Sequence, residues 1–431
     1  MQPSSTFDFA TVLKPGDTVA WPQGTGEPRG LTQRLVADRH RLPRIRLFVG
    51  MTAGDTLSPA CADRFEMQGL NGVASNRKLT VANVLDLTPV HVSSVPRHLR
   101  SGAIHADVEL IRVRPTDVPG QYTLGVVADY TTALIRAARC VVAELDERLP
   151  LTGQDALVSA EEIDIVVAAD ADEILLPDPE PSEVEVAVGR KVAEVIPDRA
   201  TVQFGIGGLA VAVSRALLGH RNLGVHSGVL TDVFVEMVER NVVTNAYKGI
   251  DRGVSVTGCL FGTGRLNGHV SGNPAIAMRS VEYTHSPAVM ARIQALYSIN
   301  FAIEVDVTGQ VNAEMAGGRY LGAVGGQLDF VRGAQASPGG RSIIALPSTT
   351  PDGRTSRIVA SLEGRPVTTP RADVDLVVTE YGVADLRGAS LSERLKRLAA
   401  IAHPDFHEAL LQGGTRAAPA IVPSIARANR A

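Results

Sequence analysis

Residues 201–218 read Thr201-Val202-Gln203-Phe204-Gly205-Ile206-Gly207-Gly208-Leu209-Ala210-Val211-Ala212-Val213-Ser214-Arg215-Ala216-Leu217-Leu218. A short β-forming run enters a turn with three glycines and leaves as an apolar helical pattern. The spacing predicts a strand over Thr201–Phe204 and a helix over Leu209–Leu218, with Gly219 as the glycine that follows a helix C-terminus. Glycine lets the backbone approach a ligand, and the free amides of a helix start suit an anion or an oxyanion. The same turn also serves simply to pack a helix closely, so alone it names no ligand. It is not the dinucleotide-binding fingerprint, because the third glycine at the required spacing is missing.

The same alternation recurs along the rest of the chain. Strands are expected at Arg44–Val49, Val108–Val113, Ile163–Ala168, Val254–Leu260, Ala302–Val307, Ser342–Leu346 and Val374–Thr379. Amphipathic helices are expected at Asp129–Leu145, Glu183–Val195 and Val233–Asn241, and Ser390 with Glu393 forms a capping box before Leu391–Ala400. Strand–helix alternation predicts an α/β fold of parallel sheets with helices on their faces. A length of 431 residues favours two domains. The boundary falls at Leu176-Pro177-Asp178-Pro179-Glu180-Pro181, which proline bars from regular structure, and gives domains of 1–183 and 184–431. The Ala-, Arg- and Pro-rich tail from Thr415 is expected to fray.

Composition narrows the function. With 42 basic and 46 acidic residues the net charge is -4, which gives no footprint for nucleic acid or an anionic membrane. No transmembrane run and no signal peptide is read, so a cytoplasmic enzyme is expected. The three cysteines, Cys61, Cys140 and Cys259, are too scattered for a disulfide framework or a metal site and are expected to be buried and inert in a reducing compartment. Neither a metal nor a permanently bound cofactor is expected.

A second glycine loop runs from Gly317 to Phe330, with six glycines or alanines between Gly317 and Gly326. Glu304, Asp306 and Glu314 lie nearby in sequence and serve either a site or plain solvation of strand ends. The run Ser298–Glu314 (SINFAIEVDVTGQVNAE), the Gly325–Phe330 loop, Thr379–Gly388 (TEYGVADLRG) and Ile401–Phe406 (IAHPDF) resemble the C-terminal domain of the acetyl-CoA hydrolase/transferase family. Lys14–Asp17, Gly26–Pro28 and Tyr122–Gly125 anchor the N-terminal half. The motifs follow the family's order over nearly the whole chain.

The resemblance implies two similar open α/β domains facing each other across a CoA cleft, an acyl-CoA substrate, CoA as substrate or product, and a homodimer. It implies that Gly205, Ile206, Gly207, Gly208 and Leu209 contact CoA and set the oxyanion geometry, with Ile303, Gly322 and Gly326 as further CoA contacts. The family works through a covalent glutamyl-CoA thioester. The segment that should carry that glutamate reads Leu223-Gly224-Val225-His226-Ser227-Gly228, so the nucleophile's position holds Gly228. Asp232, four residues on, is expected to cap a helix.

Three readings follow from Gly228. The chain hydrolyses a thioester, or a C–C bond β to one, without a covalent glutamyl intermediate. It transfers CoA using a relocated carboxylate, with Glu27, Glu282, Glu304 and Glu380 as candidates. Or it binds CoA thioesters without chemistry. Residues two apart on a strand share a face, so His226 is expected beside Gly228 as a general base on water, or as a histidine that only braces the loop. Arg114 binds a substrate carboxylate if it lines the cleft and is otherwise a loop arginine before Pro115. Without a dinucleotide fingerprint or a phosphate-binding P-loop, a dehydrogenase or kinase is disfavoured.

Overall fold

The computed structural model describes residues 7–417. The residues from 418 onward in the tail expected to fray lie outside the described residues. In the N-terminal half, seven parallel strands form one sheet. Thr18–Trp21 is central, flanked on one side by Ile45–Val49, Phe65–Gly69 and Leu85–Leu87 and on the other by Val108–Pro115, Cys140–Leu145 and Ile165–Ala168. Gln121–Thr123 and Leu157–Ser159 extend it antiparallel.

The C-terminal sheet runs in the order Gly224–Val225, Thr201–Gln203, Leu296–Phe301, Arg341–Ala345 and Leu376–Thr379, all parallel, and ends on antiparallel Gly382–Asp385. Its strands alternate with helices at Glu183–Glu194, Gly208–Ala216, Asp232–Glu239 and Gln327–Ala336. Ser182 and Ser390 each head a helix with a complete capping box. Residues 172–182 carry neither helix nor strand. The largest hydrophobic core is shared by both halves and joins Val141 and Val166 of the first sheet to Val202 and Ile299 of the second.

Four local expectations are corrected. The single helix read over Asp129–Leu145 is a helix at Thr131–Ala137 followed by the buried strand Cys140–Leu145, whose Val141-Val142 pair favours the sheet. Val254–Leu260 splits at Gly258 into Ser255–Thr257 and Cys259–Leu260, which pair in separate small sheets. The strand placed at Ala302–Val307 is shifted. Leu296–Phe301 enters the main sheet, while Glu304–Asp306 pairs with Val311–Asn312 and Ile358–Val359. Gly219 ends the short turn Leu217–Gly219 without a left-handed conformation, which Asn222 adopts instead.

Candidate active site

The turn after Thr201–Gln203 is built as its residue types require. Phe204 N–H donates to Ser227 Oγ at 3.2 Å, and that hydroxyl donates back to the Phe204 carbonyl at 3.1 Å. The turn is thereby tied to the segment that carries Gly228. A Cβ on Gly205 would lie 2.9 Å from the Phe301 ring, and Gly207 has φ 95° at the start of the Gly208–Ala216 helix. Among the described residues the N–H groups of Ile206 and Gly207 have no hydrogen-bond partner.

Two openings meet at this turn. The smaller is a cavity of about 260 Å³ between the two halves of the chain, walled by Met51, Leu70, Val90 and Val281 and by Gly205, Gly228, Gly258 and Gly326. The larger is a cleft of about 870 Å³ beside Gly207, Gly208, Leu209, Phe301, Thr350, Arg357 and His403. Ile206 lines both. Gly322 and Ile303 line neither. A Cβ on Gly322 would collide with the Ala313 carbonyl, so that glycine permits chain packing, and Ile303 N–H donates to Asn312 O at 2.8 Å.

The expected pairing of His226 with Gly228 is corrected. The strand stops at Val225, so the alternation of faces does not continue through Gly228. His226 is wholly buried and does not line the small cavity. Its Nε2 donates to the Thr284 carbonyl at 2.9 Å, and its Nδ1 is buried without a partner. Burial, reinforced by nearby Lys248, lowers its pKa to about 3.

The histidine that faces Gly228 is His285. A Cβ on Gly228 would lie 3.0 Å from His285 Cε1 and 3.3 Å from Nε2, and a Cβ on Gly326 would collide with Nε2. The ring therefore stands where a side chain from position 228 would project. Thr284 Oγ1 donates to Ser280 O at 3.1 Å, so at its 2.8 Å contact with His285 Nδ1 it accepts. That network assigns the proton to Nδ1 and leaves the Nε2 lone pair facing the cavity without a partner. Burial and the neighbouring His226 lower the His285 pKa to about 3, so the ring is neutral at physiological pH.

The carboxylate at the small cavity is Asp129. It accepts from Thr131 N at 2.9 Å, Thr131 Oγ1 at 2.7 Å and Gln23 Nε2 at 2.8 Å, and the Cys259 thiol donates to it at 3.4 Å. Burial raises its pKa, and these donors oppose the rise. Glu109 lies deeper with both oxygens unpartnered, and burial followed by the nearby Asp129 charge pushes its pKa well up. Donor-rich Asp129 therefore ionises before Glu109. No Lys or Arg is among the described residues that line this cavity.

The other candidates are engaged elsewhere. Glu27 is buried and accepts from Thr32 Oγ1 at 2.7 Å, Glu282 pairs with Arg100, and Glu304 pairs with Arg365. Glu380 lines the larger cleft but accepts from Ser348 N and Oγ at 2.9 and 2.6 Å. Arg114 donates to Leu149 O at 2.7 Å and lines neither opening. Asp232 opens its own helix but caps a different one, accepting from Thr263 N and Leu266 N. In the larger cleft the Arg357 side chain makes no hydrogen bond or ion pair among the described residues, and burial lowers its pKa. Sequence reasoning missed His285, Asp129 and Arg357. The one available signal for His285 was its place between Ser280 and Ser286, which stand at the N-cap positions of two short helices.

The geometry can be set beside known proteins. Residues 4–176 match the acetyl-CoA hydrolase/transferase N-terminal domain, and residues 262–413 match the C-terminal domain of the same family. The chain is 36% identical to a 4-hydroxybutyrate coenzyme A transferase of Clostridium kluyveri, over 91% of this chain and 92% of that one. RipA from Yersinia pestis superposes with a TM-score of 0.89 at 33% identity, covering 96% of each chain. A 4-hydroxybutyrate CoA-transferase from Porphyromonas gingivalis superposes with a TM-score of 0.80 at 33% identity, covering 95% of each. The chain belongs to the acetyl-CoA hydrolase/transferase family and shares its α/β fold.

Proposed function

We propose that this chain hydrolyses an acyl-CoA thioester and forms no glutamyl-CoA at position 228. The observation that carries the reading is the wall of the small cavity. Position 228 has no side chain, and the unpartnered Nε2 of a neutral histidine stands in front of it. In this reading residues 1–183 and 184–431 are two domains that close on the substrate. CoA runs along the larger cleft past Gly207–Leu209 with Arg357 available to its anionic groups, and the acyl group enters the small cavity. The cavity's apolar walls, the Asp129 charge and the lack of a basic lining group favour an uncharged acyl group.

The chemistry then needs three things. The free N–H groups of Ile206 and Gly207 stabilise negative charge on the carbonyl oxygen. A water molecule donates to His285 Nε2, which takes its proton as it attacks. An imidazole held near pKa 3 keeps that proton only while negative charge builds beside it, so it acts in the transition state and returns to neutral. The test is free thiol released from a panel of acyl-CoA esters, with and without acetate. Release that acetate does not accelerate is expected. Release that depends strictly on acetate, or binding of CoA with no release from any ester, would contradict the reading.

A further inference from the structure

The small cavity is also lined by a thiol. Cys259 lines it and lies one strand over from Gly228. The two segments pair in parallel, with Val229 opposite Cys259, and Cys259 N–H donates to the Gly228 carbonyl at 3.0 Å. The other two cysteines lie in core packing away from this cavity. Cys259 is therefore the thiol that a substrate in the cavity can meet.

Its partner is fixed as well. Three donations from Thr131 and Gln23 hold the Asp129 carboxylate, and the Cys259 S–H points at Oδ2 from 3.4 Å. Burial and the Asp129 charge push the thiol pKa well up, so the resting sulfur keeps its proton. Attack therefore requires a base in contact with that proton, and Asp129 is in contact with it. A separate feature marks the same space as a ligand site. The unpartnered Nε2 of His285, a residue 6% exposed, faces the cavity.

Resting on the hydrolase reading above, we infer that Cys259 is the acyl acceptor, with Asp129 as its base, so that the acyl group and not CoA becomes bound to the protein. The Cys259 Sγ–H proton passes to Asp129 as sulfur bonds to the thioester carbonyl carbon. The C–S bond to CoA then breaks, and CoA leaves as the thiol with the proton from Asp129. Water attacks the acyl-cysteine with its proton passing to His285 Nε2. Carboxylic acid is released, and that proton returns through water to the sulfur. The sum is acyl-CoA plus water giving acid plus CoA, with no change in oxidation state.

The experiment uses butyryl-CoA as an uncharged probe in single turnover, with acid quench and peptide mass analysis. A hydroxylamine-labile butyryl group on the peptide carrying Cys259 is expected, and it should accumulate in His285→Gln. Cys259→Ser should hold a longer-lived butyryl ester, Asp129→Asn should slow adduct formation about 100-fold with unchanged butyryl-CoA binding by calorimetry, and Cys259→Ala should lose hydrolysis at least 100-fold. Full thiol release by Cys259→Ala overturns the cysteine and leaves the hydrolase standing. No adduct in parent, Cys259→Ser or His285→Gln also overturns it, whether or not thiol is released. No release from any ester by the parent defeats the hydrolase reading itself.

Discussion

His226 and His285 both hydrogen-bond to Thr284 near Gly228, and burial lowers both to a pKa of about 3. His226 spends its Nε2–H on the Thr284 carbonyl and is sealed from the cavity. His285 spends Nδ1–H on the Thr284 side chain and leaves Nε2 facing substrate space. The same residue type, with the same direction of shift, is thus sealed from the cavity in one place and open to it in the other. What separates them is which nitrogen the neighbouring threonine occupies.

Substitution breaks this comparison most visibly in activity. His285→Gln keeps a polar side chain of similar reach but removes the basic nitrogen, and should lower kcat for thioester hydrolysis about 1,000-fold, about 4 kcal/mol of transition-state stabilisation. Its thermal midpoint should change little. His226→Gln should do the reverse, with near-parental kcat in the folded protein and a loss of about 2 kcal/mol in denaturant unfolding. Equal activity losses in the two variants would erase the distinction.

The support beneath His226 gives the next effect. Lys248 is fully buried and its Nζ donates to the carbonyls of Val225 and Val254 at 2.8 and 2.7 Å, just behind His226. Burial lowers its pKa to about 8. Lys248→Met leaves both carbonyls unpaired and should cost about 3 kcal/mol in unfolding. An unchanged denaturant midpoint would show that water replaces the ammonium.

A further effect is in pH dependence. A histidine whose folded pKa is about 3, against an unfolded 6.5, binds more protons when unfolded. Its neutral burial is free of cost above pH 6.5, and stability is lost as pH falls from there towards 3. For His285 the loss is about 2 kcal/mol at pH 5. Subtracting the His285→Gln curve from the parent should isolate this slope, since buried carboxylates such as Glu144, raised to about 7 by burial, act in the opposite sense in both proteins. A flat difference between pH 7 and 5 would mean that the ring is hydrated and titrates normally.

The fold was legible because local signals agreed. Thr201–Gln203, the glycines and the Gly208–Ala216 helix form the strand–turn–helix that the residue types specify, and Gly205, Ile206 and Gly207 lie at the openings. The site was legible only where it follows the chain. His226 was assigned by strand alternation, and that rule failed because the strand ends at Val225. His285 reaches Gly228 from a one-turn helix 57 positions later in the chain, and Asp129 and Gln23 reach Cys259 from the other half of the molecule. No periodicity encodes such a meeting. Cys259 is buried as expected, and the carboxylate that accepts from its thiol comes from a distant segment that no local pattern signals.

The most direct test of the central claim is the source of the oxygen in the product acid. One turnover of butyryl-CoA is run in ¹⁸O-labelled water with the enzyme in excess. If water is the final acyl acceptor, the butyrate carries one solvent oxygen and no protein carboxylate gains label. If a relocated carboxylate such as Asp129 or Glu380 attacked instead, its own unlabelled oxygen can leave in the butyrate and solvent label can appear on that residue. Unlabelled butyrate with a labelled Asp or Glu peptide would contradict the account.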